Sequence, residues 1–208
     1  MNEVFRGGAA AEMSPVGTLD RREAVPALVG NAQDWLIVAG LAGTARDTAS
    51  LCEPEANYFA CAGVMGGAVA MGLGLALARP DRRVLVLTGD GELLMNVGSL
   101  ATVAILNPPN LSIVCVDNGH YGETGYQKSH TSLGVDLAAM ASGAGVPAVR
   151  SVSEADEIEE AGRLLREANS TSFVLLKVTP ETGPPAVKRS LDAALAKDRF
   201  RAATLPAG

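Results

Sequence analysis

The sequence lacks the features that mark several functional classes. It has no apolar run of membrane-spanning length and no N-terminal apolar segment of the signal-peptide kind. It also has no basic run. Its 17 Lys and Arg stand against 23 Asp and Glu, spread along the chain, for a net charge of −6. That balance gives neither a nucleic acid nor an anionic membrane surface an electrostatic footing. Cysteine is scarce: Cys52, Cys61 and Cys115 are an odd number with no Cys-x-x-Cys spacing. Each lies in or near an apolar stretch, which points to buried reduced thiols rather than a metal site or a disulfide. The expected location is the cytoplasm. No internal repeat or low-complexity tract interrupts the core.

What is present suits one globular domain. The chain has 208 residues, 48% of them hydrophobic, 19% charged and 4% aromatic, enough for one continuous core. Abundant Gly and Ala suggest closely packed helices and tight turns. Residues 1–20 are rich in Gly, Ala, Ser and Pro and read as a flexible leader. Residues 21–180 form the expected domain. Residues 181–208 read as a tail, in which 189–200 has a helical pattern suited to holding a partner.

Between these limits, short apolar runs alternate with helical patterns. Strands are predicted at 35–39, 57–62, 84–88, 111–116 and 173–178. Continuous apolar runs of this length suit strands buried on both faces. Helices are predicted at 45–52, 66–79, 92–106, 135–144 and 153–168, the last with Ser153 as N-cap. The alternation predicts an α/β fold: a doubly wound, mostly parallel sheet with helices on both faces. In such sheets ligands bind beyond the carboxyl ends of the strands. Polar loops at 40–44, 89–92 and 117–125 all follow strands and would converge on one edge.

Two of these loops carry chemistry. Gly89-Asp90-Gly91 follows a strand and opens a helix. The glycines allow a sharp turn and close approach to a ligand, and the helix start offers unpaired N–H groups to an anion. Asp90 adds a carboxylate there, which would repel a phosphate unless a cation stood between them. Mg²⁺ is the natural bridge, because it takes oxygen ligands and phosphates together. Asp117-Asn118-Gly119 follows the next strong strand, so the two loops should be neighbours. Each triplet alone is an ordinary turn sequence; their pairing on consecutive strands is not. Residues such as Trp35, Gly72 and Gly74 need only packing to explain them; Arg46 reads as a helix-surface charge, though it too lies near the phosphate end.

The segments 89–100 and 110–119, with 26 residues (92–117) between Gly91 and Asn118, resemble the signature of thiamine diphosphate enzymes. Met65-Gly66, residues 74–80, Leu94-Met95-Asn96 and residues 121–131 are similar to the β subunits of sulfopyruvate decarboxylases and to phosphonopyruvate decarboxylases. The resemblance runs from about 34 to 180. It implies that Asp90, Asn118 and the backbone carbonyl of His120 bind Mg²⁺. It implies that Gly91 and Glu92 offer backbone N–H groups to the diphosphate, and that Thr44 contacts phosphate. The carbonyl of Gly63 would accept from the aminopyrimidine, and Met65 would wedge the cofactor into a bent shape. Lys128 and His130, in the loop after the metal corner, are candidates to meet an anionic substrate. Two departures stand out: the family's Asn pair is Asp117-Asn118 here, and Glu92 stands where relatives often carry a small residue, so its side chain must turn away from the diphosphate.

The resemblance further implies an incomplete catalyst. In the family, a Glu on a separate pyrimidine-binding domain activates the cofactor, and a chain with one domain's core does not accommodate that domain as well. No catalytic acid is therefore assigned to this chain. The expected function is the β subunit of a 2-oxoacid decarboxylase of the sulfopyruvate or phosphonopyruvate type. It would act on a small anionic oxoacid together with a pyrimidine-binding α subunit, in an oligomer. Two alternatives stand beside it: another split thiamine diphosphate enzyme that makes or breaks carbon–carbon bonds, and a non-catalytic cofactor-binding module.

Overall fold

The structure is a computed structural model that describes residues 17–52, 57–61, 63–180 and 192–205. In chain order its first half comprises α1 (Arg21–Val29), β1 (Trp35–Ala39), α2 (Ala42–Leu51), β2 (Tyr58–Ala60), α3 (Ala68–Ala78), β3 (Arg83–Gly89), α4 (Asp90–Leu94) and α5 (Ser99–Leu106). Then follow β4 (Leu111–Asp117), β5 (His120–Tyr121), β6 (Gln127–Lys128), α6 (Leu137–Gly143), β7 (Ala148–Val152), α7 (Ile158–Glu167), β8 (Ser172–Lys177) and α8 (Ala193–Thr204).

The apolar runs dictate the sheet. Every residue of β1 and β4 is buried, as is every residue of β3 between its two ends. Such strands can only be central, covered on both faces. They lie in a six-stranded sheet of order β2-β1-β3-β4-β8-β7, parallel throughout. Alternate side chains feed two cores. Leu36, Val38, Val84, Val86, Ile113 and Cys115 pack with α3, α5 and α6 on one face. Ile37, Ala39, Leu85, Leu87, Val114 and Val116 pack with α1 and α7 on the other. All three cysteines are buried thiols outside any disulfide.

The winding positions the site. From β1 the chain passes through α2 to β2 on one side, whereas from β3 it passes through α4 and α5 to β4 on the opposite side. The carboxyl ends of β1 and β3 therefore open a crevice at the point where the winding reverses, the place where open α/β sheets bind ligands.

Several expectations need correction. The single helix expected over 92–106 is two, broken at 95–98. There Asn96 donates its amide to Gly66 O at 3.1 Å, and Ser99 donates backbone and hydroxyl hydrogens to Asn96 O. Ser153 is not an N-cap. Its own N–H, with that of Glu154, donates to Glu157 Oε2 at 2.7 and 3.0 Å, and α7 follows a short 3₁₀ turn. Strand β7 escaped prediction because, at the edge, it carries Arg150 and Ser151 and is only half buried. Helix α1 escaped because Pro26 lies inside it. The end of the expected leader is tied down: Leu19 is buried and bridges Val178, and Asp20 caps α1. Residues 1–16 and 181–191 lie outside the described residues. Helix α8 covers the exposed edge of the sheet, with the Phe200 ring 5.8 Å from that of Phe59, so it serves this chain's own β2.

Gly72 shows how closely α3 lies on the sheet. A Cβ there would come within 2.1 Å of Val86 Cγ2, the end of a stiff, fully buried side chain. Gly72→Ala should gain about 1 kcal/mol of helix propensity but lose more to overpacking, which costs roughly 1–3 kcal/mol. The urea midpoint should therefore fall. A raised midpoint would mean that α3 has room to move off β3.

Candidate functional site

The three post-strand loops meet as expected, and one cavity is lined by residues from all of them. Leu41–Thr44 follow β1, Gly89–Glu92 follow β3, and Asn118, His120 and Tyr121 follow β4, with Met65 reaching in from the turn before α3. Thr44, Met65, Asp90, Gly91, Glu92, Asn118 and His120 are thus brought together. Gly63 is exposed, with φ +80°, and is not among the lining residues.

Asp90 is 2% exposed at the start of α4. Its Oδ2 accepts from the hydroxyls of Ser129 and Thr131, the latter at 3.2 Å. Thr131 is also 2.7 Å from Asp117 Oδ1, so one hydroxyl links two buried carboxyls. Asp90 has no ion pair among the described residues. Burial, then the nearby Asp117 charge, pushes its carboxyl up to about 6. Burial likewise raises Asp117. The next loop is wound by its own side chains. Asp117 Oδ1 accepts from Gly119 N–H at 3.0 Å, and Asn118 Oδ1 from His120 N–H at 3.1 Å. These successive turns hold Asn118 and the His120 backbone at the rim.

This donor set fits Mg²⁺. Among the described residues no group of three or more His, Cys, Asp or Glu is placed to hold a metal. A metal cage made of three such side chains is therefore not built among the described residues. Magnesium, by contrast, is held by one or two carboxylates plus the substrate's phosphates and water. A buried carboxylate without a cation, beside an amide oxygen and a backbone turn, matches that need.

The surrounding backbone suits an anion. The first N–H groups of α2 have no intrahelical partners, and Leu41, its N-cap residue, has no side chain to cap them. Gly91 has to be glycine, because a Cβ would meet the Tyr121 ring at 2.2 Å. Glu92 resolves the second sequence departure. Its side chain turns to the β1–α2 connection, where Oε2 accepts from Leu41 N–H at 3.1 Å. Burial raises this carboxyl too, opposed first by the Leu41 N–H and then by weaker hydrogen bonding from Thr88, Gly89 and Gly66.

Arg46, expected near the phosphate end, does line the cavity and pairs with Glu123 at 2.6 Å; Arg21, which pairs with Asp47 at 2.5 Å, was not foreseen there, and all four border the cavity. Tyr126, held at φ +65°, stacks on His120 with centroids 4.8 Å apart. Lys128 and His130 lie on the surface and do not line the cavity; the alternate residues Ser129 and Thr131 face Asp90 instead. The strand ends at Lys128 and a 3₁₀ turn opens at Thr131, so no simple period in the sequence marks Ser129 and Thr131 as the inward pair.

Comparison with known proteins accords with this geometry. Residues 42–178 match the family described as thiamine pyrophosphate enzyme, C-terminal TPP binding domain. The chain belongs to this family. It is similar to the sulfopyruvate decarboxylase subunit beta of Methanothermobacter thermautotrophicus, 40% identical over 64% of this chain and 70% of that one. The Methanocaldococcus jannaschii subunit beta is 34% identical over 70% of this chain and 76% of its own length. Against the phosphonopyruvate decarboxylase of Streptomyces viridochromogenes, 97% of this chain aligns with 49% of the relative at 32% identity. In fold it resembles a thiamine diphosphate-dependent 4-hydroxybenzoylformate decarboxylase from Rhodococcus jostii. The TM-score is 0.66 at 23% identity, covering 85% of this chain and 36% of that one. Among the described residues no helix is long and apolar enough to cross a membrane.

The two buried carboxyls make the metal-free chain sensitive to pH. Asp90 has a folded-state value near 6 against an ordinary 3.8. The folded chain therefore holds its proton more tightly, and stability falls as pH rises from about 4 to about 6. Asp90→Asn removes the charge and keeps an acceptor for Ser129. With a chelator present, its melting temperature should exceed that of the parent at pH 7, and its fall across that window should be shallower. Parallel curves for the two proteins would show that Asp90 is not strained by burial.

Proposed function

We propose that this chain is the diphosphate-binding β subunit of a Mg²⁺- and thiamine diphosphate-dependent 2-oxoacid decarboxylase of the sulfopyruvate or phosphonopyruvate type. The observation that carries this reading is the buried Asp90 carboxyl, without a cation, facing the same cavity as Asn118 and the start of α2. Named relatives with that activity support the choice of reaction.

Thiamine diphosphate supplies the carbon nucleophile and the electron sink that loss of CO₂ from a 2-oxoacid requires. The protein's part is placement. Asp90, Asn118 and the His120 carbonyl would hold Mg²⁺. The backbone N–H groups of Gly91 and Glu92, with Thr44, would hold the diphosphate. Met65, half buried on the cavity wall, would set the bend of the cofactor, and the Gly63 carbonyl would receive its amino group. Lys128 and His130 would reach a substrate's anionic tail only where a second chain encloses the loop.

A pyrimidine-binding partner subunit would complete the site and supply the activating acid. Supporting this, Met71 and Leu77 of α3, Met95, and Ile105 and Leu106 of α5 are exposed apolar side chains on helices that pack against one another. Large exposed apolar surface on a soluble protein marks an interaction site. The buried thiols, outside any disulfide, suit a reducing compartment, and we place the enzyme in the cytoplasm.

Calorimetry tests the cofactor site. The chain, alone or with its partner, should bind thiamine diphosphate only with Mg²⁺. Asp90→Ala should abolish that binding, because the diphosphate charge is left unbridged, and Asn118→Ala should weaken it less. Decarboxylation should appear only when the partner chain is added. Undiminished affinity in Asp90→Ala would remove the metal assignment, and turnover by this chain alone would remove the split-subunit reading.

A further inference from the structure

Glu92 lies 51 positions from Leu41 in sequence, yet its carboxylate meets the turn that opens α2. That turn has three peculiarities. Leu41 is the N-cap residue of a ten-residue helix and gives it no side-chain cap. Ala42, the next residue, has φ +61°, a left-handed backbone for a residue with a Cβ. Such a conformation costs of order 1–3 kcal/mol and persists only where its surroundings dictate it. Gly40, before the turn, has no side chain. A Cβ there would fall 1.7 Å from Glu92 Oε2 and within 2.6 Å of Oε1. Gly40 is thus the space in which the carboxylate sits.

The Glu92–Leu41 bond has the form of half a capping box. In that motif a Glu three residues into a helix accepts the N–H of its own N-cap residue. Here the acceptor comes from a different helix, α4, whose first residue is Asp90. One buried side chain, 4% exposed, therefore joins the two sides of the cavity, the start of α2 with Thr44 and the start of α4 with Asp90 and Gly91.

We propose that Glu92 is a positioning residue: its carboxylate clamps the strained Leu41–Ala42 turn to α4 and so fixes the separation between the α2 N–H groups and the metal corner. The effect on cofactor affinity rests on the function proposed above; the clamp itself does not. The role is separate from the backbone contribution of Glu92 to the diphosphate, which any residue at this position could make. It needs a side chain long enough to cross the crevice and a glycine at 40 to receive it.

The test separates the clamp from the function. Amide exchange at Leu41, followed by NMR on the cofactor-free chain, reads the clamp directly. In Glu92→Ala the Leu41 amide should exchange about tenfold faster or more, since a hydrogen bond to a charged group is lost. In Glu92→Gln, whose amide oxygen can still accept, protection should be largely retained. Gly40→Ala should expel the carboxylate and reproduce the alanine phenotype. Gly40→Ala added to Glu92→Ala should cost little more, because the clash has gone; that non-additivity is specific to contact between the two sites. With Mg²⁺ and thiamine diphosphate, affinity should follow the same order, Gln near the parent and Ala roughly tenfold weaker. Unchanged Leu41 exchange in Glu92→Ala, or additive effects of the two substitutions, overturns the clamp. Exchange that changes as described while neither parent nor variant binds the cofactor would keep the clamp and overturn the proposed function.

Discussion

The site is organised around a charge that the protein itself does not balance. Asp90 is buried beside Asp117, and among the described residues hydroxyl and backbone groups are the pair's hydrogen-bond donors, with the Lys177 charge acting on Asp117 from the neighbouring strand. Removing a carboxylate from water without a paired cation is costly. Ser129 and Thr131 recover part of that cost by donating to it. The remainder is left unanswered. On the function proposed above a divalent cation would answer it, and a cation held by so few protein oxygens would keep coordination positions for an anion.

Sheet topology makes that arrangement possible. Parallel strands with crossover helices bring every post-strand turn to one edge. The register then sets their heights. Ala39, the end of β1, pairs with Leu87, whereas β3 continues to Gly89 opposite Val116. The β1 turn therefore sits lower than the metal corner and leaves a step. Glu92 leans across that step to Leu41, and the Tyr121 ring closes over Gly91 from the other side. The cavity is the gap left where one winding direction gives way to the other.

The sequence made legible whatever depends on local pattern. Central strands β1, β3, β4 and β8 appear as unbroken apolar runs because both their faces are buried. The metal corner appears because Gly-Asp-Gly and Asp-Asn-Gly each close a run. What escaped depends on context or on distance. Strand β7 is an edge strand and tolerates Arg150 and Ser151, so its pattern is weak. The loop chemistry of 128–131 was read one residue out of phase: charge drew attention to Lys128 and His130, while the hydroxyls of Ser129 and Thr131 hold Asp90. No local pattern links Glu92 to Leu41. Only the presence of an acid where relatives often carry a small residue hinted that its side chain had another partner.

The same reasoning extends to the faces left open. Helix α3 is apolar around its whole circumference, and α5 is apolar apart from Ser99 and Thr102, as their sequences 68–78 and 99–106 show. A helix of that kind is stable in water only if both faces are covered. The sheet covers one, while Ile105 stays 83% exposed on the other. These helices do not stand apart from the cavity. Met65 lies just before α3, and Asn96, between α4 and α5, holds the Gly66 carbonyl at 3.1 Å. A partner that buried this apolar face would approach the Met65 side of the cavity, away from the metal corner. Burial of hydrophobic surface and completion of the reactive end would then be one event. The corner of Asp90, Asn118 and Thr44 needs no such help, because its residues all come from loops of a single sheet. On the function proposed above, that division would let this chain build the metal and phosphate end by itself and leave the reacting end to be finished by another subunit.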